Sequence, residues 1–335
     1  MANNNNLRSA NANKNDEFYT MLSDIEKEMR YYKDFFKGKV VYCNCDDARE
    51  SNFFKYFSLN FEFLGLKKLI TTGYKADGKG VVLVYEGDKN GNRRVDNEEI
   101  IVNELNGDGD FRSEECIEYL KQADVVVTNP PFSLFRQYVK QLMDYGKKFI
   151  IIGNNNALTY KDIFQLIKDN KIWLGINSNK TMEFSMPMSY DKWDRIEGNR
   201  KYGKVPAISW FTNIENKKRT EPIDLYKRYS FEDYPKYDNF DAINVDKVAD
   251  IPMDYDGIMG VPITFLNNYC PSQFTIIGLG ISNSGLSCGV EPYKKQWRDY
   301  RVNVQKRAAV DGDLYMVINQ EVKVPYARIL IKKVS

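Results

Sequence analysis

The segment Asn129-Pro130-Pro131-Phe132 combines an amide, two rigid residues and an aromatic ring. Proline fixes its own φ and restricts the preceding residue to extended conformations, so the segment has few conformations available. The exocyclic amino group of adenine is a poor nucleophile because its lone pair is delocalised into the ring. Hydrogen bonds from it to the Asn129 side-chain oxygen and the Pro130 carbonyl oxygen would make the nitrogen more tetrahedral, while Phe132 stacks on the base. The segment therefore predicts methyl transfer to a planar amino nitrogen.

The elements around this segment are those that a catalytic turn requires. Val125, Val126 and Val127 precede it as a short strand with apolar residues on both faces, which is typical of a central parallel strand. A helix over residues 133–145 is predicted after it, with Leu134, Tyr138 and Leu142 in one row. As an isolated tetrapeptide the segment could equally be a turn that ends a strand.

Composition excludes several classes of mechanism. The chain has no histidine, which rules out Ser-His and Cys-His pairs and His-ligated zinc. Its five cysteines form no Cys-x-x-Cys pair, so we expect free thiols and no metal site. Transfer to an amine positioned by dipoles needs no imidazole base, because the amine becomes acidic once it is methylated.

Length and charge indicate a globular protein with a local binding surface. The 335 residues are 43% hydrophobic, and the net charge is only +2, so a nucleic-acid surface would have to be a patch and not a global field. No basic stretch precedes an apolar leader segment, and no apolar run reaches the length of a membrane span. We therefore expect a cytoplasmic protein with no membrane partner.

Two further polar turns accompany the first. A strand at 39–43 runs into a turn that carries carboxylates, and a Gly/Asp turn at 106–111 leads into a helix. Ligands of open α/β sheets bind beyond the carboxyl ends of the strands. We therefore predict that all three turns line one crevice.

Strands alternate with helices through most of the first two thirds of the chain. This pattern predicts the α/β class, with a doubly wound, mostly parallel sheet and a terminal antiparallel hairpin. Residues 81–85 and 100–105 read as an additional β-hairpin. We predict a mobile tail at 1–15, a domain at 16–215 and a smaller C-terminal region at 216–335.

Several segments resemble motifs of the EcoRI-type family of S-adenosylmethionine-dependent, adenine-specific DNA methyltransferases. Asn129–Phe132 matches the catalytic motif, Asp16–Thr20 is similar to the N-terminal cofactor motif, and Asp110–Phe111 resembles the pair that holds the cofactor's adenine. Tyr42–Asp47 stands where related enzymes carry a Gly-rich loop. The resemblance runs from Asp16 through the C-terminus.

The resemblance implies a Rossmann-like methyltransferase sheet and methylation of adenine N6 in a specific duplex DNA sequence, by base flipping and direct transfer. The implied cofactor is S-adenosylmethionine. The catalytic residues it implies are Asn129, Pro130, Pro131 and Phe132. The cofactor contacts it implies are Phe18, Tyr19, Thr20, Asn44, Cys45, Asp46, Asp47, Asp110, Phe111 and Asn129. One departure is that the turn after the first strand contains no glycine.

A long segment between the strands at 171–176 and 207–213 is a candidate DNA-binding loop, because long loops in compact domains are commonly functional. Its candidate contacts are Trp193, Arg195, Arg200, Lys201 and Lys204; such residues are equally common on a solvated surface. The implied partners are duplex DNA, with the C-terminal region as the target-recognition region, and a cognate restriction endonuclease. The alternatives are a DNA-binding protein with a degenerate cofactor site, and methylation of RNA or of a glutamine amide.

Overall fold

The computed structural model describes residues 18–45, 47–75, 78–186, 188 and 193–334. The predicted tail at 1–15 and Asp46 lie outside these residues. The described chain forms two compact units, of which the first runs to Ala157 and resumes over Trp173–Asn216. The second comprises Leu158–Ile172 and the chain from Lys217 onward. The first unit thus ends at Asn216, and the segment Leu158–Ile172 belongs with the second unit. The assignment of separate functions to 16–215 and 216–335 stays a prediction.

The first unit contains a large mixed sheet with the strand order β1-β9-β11-β7-β6-β2-β3-β4-β5, and β8 and β10 also pair with β11. The strands are β1 (Tyr19–Thr20), β2 (Val40–Cys43), β3 (Lys68–Gly73), β4 (Val81–Tyr85), β5 (Ile100–Glu104), β6 (Val125–Thr128), β7 (Lys148–Asn154), β8 (Trp173–Leu174), β9 (Lys180–Met186), β10 (Arg195–Glu197) and β11 (Arg200–Thr212).

The centre of this sheet is parallel. Strands β3, β2, β6 and β7 pair in parallel, and both faces of β2 and β6 are buried. Their runs of β-branched residues suit a strand that is covered on both sides. The predicted α/β class with a parallel centre is therefore confirmed, and β4 and β5 form the predicted antiparallel hairpin.

Antiparallel strands are more extensive than one terminal hairpin. Strand β11 lies antiparallel between β7 and β9, with a bulge between Val205 and Ile208 where Ala207 adopts a positive φ of 58°. The expectation of a long loop at 177–206 was wrong, because most of that segment belongs to β9, β10 and β11. Charged residues and a glycine interrupt the apolar residues there without a regular period, as in Lys201–Val205, and this hides the strand from a search for apolar runs or for alternation.

The helices of the first unit are α1 (Leu22–Met29), α2 (Asn52–Leu59), α3 (Phe61–Leu64), α4 (Glu114–Gln122) and α5 (Phe135–Asp144). Those of the second unit are α6 (Lys161–Lys168), α7 (Ser282–Ser287) and α8 (Lys295–Asp299). Serine hydroxyls cap two helices of the first unit, since Ser51 accepts from the Phe53 amide and Ser113 from the Cys116 amide. Helix α5 buries Tyr138 and Leu142, as its row of apolar residues predicts.

The second unit contains a smaller sheet with the order β12-β13-β17-β14 and a separate hairpin of β15 and β16. These strands are β12 (Ile243–Asn244), β13 (Met259–Pro262), β14 (Phe274–Gly280), β15 (Met316–Ile318), β16 (Glu321–Lys323) and β17 (Arg328–Lys333). All five cysteines of the chain are described and are free thiols, as predicted. None of the described helices is long and apolar enough to span a membrane.

Glu28 joins helix α1 to the turn after β8. This carboxylate is buried and accepts hydrogen bonds from the Ile176 amide at 2.8 Å, the Asn177 amide at 2.7 Å and the Tyr32 hydroxyl at 3.0 Å. Gly175 is required beside it, because a Cβ on Gly175 would lie 2.3 Å from Glu28 Oε1. Residues separated by about 150 positions are thus held together by one side chain.

We expect Glu28→Ala to lower the free energy of unfolding by about 3 kcal/mol, because it leaves several buried donors without acceptors. Glu28→Gln retains one acceptor oxygen and should cost less. Glu26→Ala, an exposed position on the same helix, is the control and should change stability by no more than about 0.5 kcal/mol. Urea unfolding measures all three, and equal effects of the two alanine variants would contradict the assignment.

Candidate active site

Three polar turns meet at one edge of the parallel sheet. Since β2 and β6 are parallel neighbours, Asn44 and Asn129 follow strands that end at the same edge, and the Thr128 hydroxyl donates to the Asn44 carbonyl oxygen. The turn before Asp110 lies against the end of β3. There a Cβ on Gly109, whose φ is +85°, would lie 2.3 Å from the Gly73 carbonyl oxygen. The structure therefore brings the three predicted turns together.

The Asn129 amide is buried and fixed in orientation. Its Nδ2 donates a 2.7 Å hydrogen bond to the Phe18 carbonyl oxygen. A carbonyl oxygen can only accept, so the amide nitrogen faces Phe18 and Oδ1 faces the other way. Among the described residues this buried Oδ1 has no hydrogen-bond partner. Because an unpaired buried acceptor costs free energy, Asn129 Oδ1 is suited to receive a donor from a bound group.

The ring of Phe132 stands beside this amide. It lies parallel to the ring of Phe18, with centroids 6.4 Å apart and planes inclined by 16°. Phe18 in turn packs edge-on against Phe184 at 5.9 Å. Pro130 is buried, whereas Pro131 and Phe132 are half-buried. The Phe132 ring therefore packs on Phe18, which is itself held by Phe184, and it remains partly accessible.

The N-terminal segment contributes through its backbone and one hydroxyl. Tyr19 and Thr20 pair with β9, and the Thr20 carbonyl oxygen accepts from Asn52 Nδ2 at 2.7 Å. Thr20 Oγ1 is buried and has no hydrogen-bond partner within the described chain. Tyr19 is buried, with the Arg200 guanidinium 5.2 Å from its ring centroid. Thr20 thus presents a second unpaired polar atom in this unit.

The turn after β2 replaces glycine with a strained residue. Cys45 has a φ of +74°, in the left-handed region that favours glycine, and is partly accessible. Asn44 is buried, and its Oδ1 accepts from the Tyr138 hydroxyl. Asp47 is exposed and accepts from the Arg49 amide at 2.9 Å. Cys45 thus adopts the left-handed backbone conformation that glycine commonly provides in such turns.

Asp110 and Phe111 have clearly different environments. The Asp110 carboxylate binds the Arg112 side chain at 2.9 and 2.5 Å, and this guanidinium holds the pKa of Asp110 below its usual range. Phe111 is buried, and its ring packs edge-on against Tyr138 at 5.0 Å. Asp110 therefore carries a negative charge at neutral pH, beside an apolar wall.

Sequence reasoning missed the polar role of Tyr138. Its row on helix α5 identifies it only as a buried residue, but its hydroxyl bonds Asn44 while its ring contacts Phe111. Burial raises the pKa of Tyr138 well above its ordinary value, so the hydroxyl remains a donor. Tyr138 therefore links two of the three turns.

The candidate DNA contacts lie on β10, β11 and the residues before them. Arg195 pairs with Glu183 at 2.9 Å and with Glu197, and Arg200 pairs with Glu50. The remaining three are Trp193, Lys201 and Lys204.

Lys201 is buried, with its ammonium 3.9 Å from the centroid of the Trp193 ring. Trp193 is 46% exposed, and Lys204 is also exposed. Arg195 and Arg200 are thus paired with carboxylates, and Lys201 is buried. The role of these residues in DNA binding stays a prediction.

No group of three or more His, Cys, Asp or Glu side chains in the described part of the chain could hold a metal ion. The site therefore offers the unpaired amide oxygen of Asn129, the ring of Phe132 and the unpaired hydroxyl of Thr20.

Comparison with known proteins gives a family. The family described as "Adenine-specific methyltransferase EcoRI" matches residues 6–334. The type II methyltransferase M.EcoRI of Escherichia coli is 47% identical over 306 residues, which are 86% of this chain and 94% of that protein.

Two Mycoplasma proteins are also similar. M.MgeORF184P of M. genitalium, a type II methyltransferase, is 37% identical, and the alignment covers 96% of each chain. M.MpnI of M. pneumoniae, also a type II methyltransferase, is 42% identical over 79% of this chain and 82% of its own. These full-length similarities agree with the Asn-Pro-Pro-Phe turn and the parallel sheet that carries it. The chain belongs to the EcoRI-type family of adenine-specific DNA methyltransferases.

Proposed function

We propose that this DNA methyltransferase modifies adenine N6 in duplex DNA, with Asn129 Oδ1 and the Pro130 carbonyl oxygen as the acceptors of the amino group. The observation that carries the proposal is the buried Asn129 amide, whose nitrogen is bound to Phe18 and whose oxygen has no partner among the described residues. The substrate amino group would supply the missing donor.

The two acceptors act on the geometry of the nucleophile. Hydrogen bonds to both draw the amino nitrogen out of conjugation and aim its lone pair away from the acceptors. Pre-oriented dipoles of this kind, buried away from water, are worth about 100-fold or more in rate per group. The proton leaves after transfer, when the methylated nitrogen is acidic, and this agrees with a chain that contains no histidine.

Phe132 is proposed to hold the flipped base. A base within the duplex cannot reach the buried amide, so it must leave the stack at a cost of a few kcal/mol. Stacking on an aromatic ring returns about 1–3 kcal/mol per base. The parallel packing of Phe132 on Phe18 supports a fixed platform for this purpose.

S-Adenosylmethionine is the proposed cofactor, and the residues at this edge of the sheet fit it. When bound, it supplies an electrophilic methyl group. Thr20 Oγ1 offers an unpaired polar atom, Cys45 a close backbone approach, and Asp110 with Phe111 a charged acceptor beside an apolar wall for the adenine. Phe18, Tyr19, Asn44, Asp46 and Asp47 complete the proposed set.

The proposal assigns the methyltransferase role to residues 16–215 and target recognition to 216–335. All the described residues proposed here to act on base or cofactor lie in the first unit, which supports this division. A restriction endonuclease with the same target sequence is the proposed partner, motivated by the type II designation of the relatives.

Incubation with methyl-labelled S-adenosylmethionine and separate DNA, RNA and peptide acceptors tests the function. We expect label in N6-methyladenine from duplex DNA. Label in RNA or glutamine would favour the corresponding alternative acceptor, and failure to bind the cofactor in calorimetry would favour a degenerate DNA-binding protein.

We expect Asn129→Ala to lower kcat by about 100-fold or more, because it removes an acceptor in use at the reacting nitrogen, while cofactor affinity changes little. The matched control is Asn154→Ala. Asn154 is also buried and ends the neighbouring strand β7, but its Oδ1 already accepts from the Asn156 amide at 2.9 Å. Single-turnover methylation measures both variants, and wild-type turnover in Asn129→Ala would refute the role.

We expect Tyr138→Phe to weaken cofactor affinity roughly fivefold, for a loss of ~1 kcal/mol, because the Asn44 amide loses the donor that orients it. The maximal rate should change little. Tyr145→Phe, at the accessible C-terminal end of the same helix, serves as the control. Calorimetric titration and the dependence of rate on cofactor concentration test this, and a lower kcat with unchanged affinity would contradict it.

A further inference from the structure

A basic surface in the second unit is separate from every residue considered above. The segment 294–307 contains six basic residues and one acidic residue, in a chain whose net charge is only +2. Helix α8 occupies its first part, and a π-helical turn over Tyr300–Val304 continues it. The basic residues are Lys294, Lys295, Arg298, Arg301, Lys306 and Arg307.

This segment is anchored through its aromatic residues. Trp297 and Tyr300 pack with the cluster formed by Tyr293, Tyr315 and Val322. The Tyr293 and Tyr315 rings stack with centroids 4.4 Å apart. The aromatic side chains of the segment therefore pack on this core, whereas its cations are exposed or partly exposed.

Two of the six cations line a cleft with a volume of about 470 Å³ between this segment and strand β16. Arg301, Arg307 and Lys323 face it, together with a single carboxylate, Glu321. Within the described chain none of these three cations forms an ion pair, whereas the neighbouring Arg298 is paired with Asp311 at 2.5 Å. The cleft thus holds an excess of uncompensated positive charge.

The side-chain hydrogen bonds of Arg301 are made to neutral partners. Its Nε donates to the Ala308 carbonyl oxygen at 3.0 Å and its Nη1 to Gln305 Oε1 at 3.1 Å. Gln305 Nε2 in turn donates to the Val322 carbonyl oxygen at 2.9 Å, which ties the π-helical turn to the hairpin. The guanidinium is therefore pre-oriented without being neutralised, which lowers the entropic cost of binding an anion.

We propose that this cleft binds the phosphodiester backbone of duplex DNA, through Arg301, Arg307 and Lys323. The inference rests on the proposed function, because DNA is the polyanion that the enzyme must hold. Phosphates spaced along a duplex match several cations carried by one rigid surface, and such contacts position the protein on the duplex without reading its sequence.

The test compares the unmodified protein with the variant Arg301→Gln/Arg307→Gln/Lys323→Gln. Fluorescence anisotropy with a short mixed-sequence DNA duplex, measured at several salt concentrations, gives the slope of log affinity against log salt. Loss of three phosphate contacts should lower the steepness of that slope by about 2.7. Between 50 and 200 mM salt, the loss of affinity of the variant should therefore be about 40-fold smaller than that of the unmodified protein. Binding at low salt should be weaker than that of the unmodified protein.

The control variant Lys236→Gln/Lys247→Gln/Lys332→Gln carries the same change in charge at exposed positions of the second unit outside the cleft. It should keep the original slope. An unchanged slope in the cleft variant, an equal loss in the control, or an equal affinity and equal loss with duplex RNA would each overturn the inference. If the triple variant does not fold, Lys323→Gln alone should lower the steepness by about 0.9.

Failure of this inference is distinguishable from failure of the proposed function. Methylation of adenine by the unmodified protein reports on the function, and the salt slope reports on the cleft. Cofactor affinity of the cleft variant should equal that of the unmodified protein, because the variant leaves every proposed cofactor contact intact.

Discussion

The hydrogen bond from Asn129 to the Phe18 carbonyl oxygen is the constraint on which the active site depends. It joins residues 111 positions apart and turns an amide that could lie either way round into a donor on one side and an acceptor on the other. The prolines restrict the backbone of the turn, but they do not determine the amide's orientation. That orientation is set by strand β1, which pairs with β9 and holds the N-terminal segment against the sheet. The pairing of β1 with β9 at one side of the sheet therefore determines how the amide at its centre is oriented.

The proposed active site works mainly with dipoles instead of mobile charges. Its proposed acceptors are an amide and a carbonyl oxygen, and the charged group of the third turn, Asp110, is neutralised in part by Arg112. A site of this kind shows little change of its own protonation near neutral pH. Tyr138 fits the same pattern, because burial keeps its hydroxyl protonated and available as a donor. In the proposed mechanism, geometry and not titration decides whether the amino group is activated.

Much of this could be predicted from local sequence, and the rest depended on contacts between distant residues. The valines before Asn129 identify a central strand because β-branched residues on both faces suit no other position, and the stiff turn follows from the prolines. Nothing local indicates that the Tyr138 hydroxyl would find Asn44, which lies 94 residues away. Strand β9 and the first half of β11 escape a search for apolar runs because charged residues interrupt their apolar ones, whereas the second half of β11 corresponds to the predicted strand at 207–213. Local patterns therefore gave the parallel centre and the turn, while the lateral strands and the bonds between turns required the folded chain.

Helix α6 belongs to the second unit although the sequence on both sides of it belongs to the first. Lys168 donates to the Ile277 carbonyl oxygen at 2.7 Å, so this helix packs with β14, more than a hundred residues further on. A gene fragment that stops near residue 215 would encode a helix without its partner strand. Exchange of the second unit between relatives by recombination would therefore need two crossovers around residues 158–172 as well as one near 216. Because residues 158–172 and the chain from 217 onward fold together, they must be exchanged together.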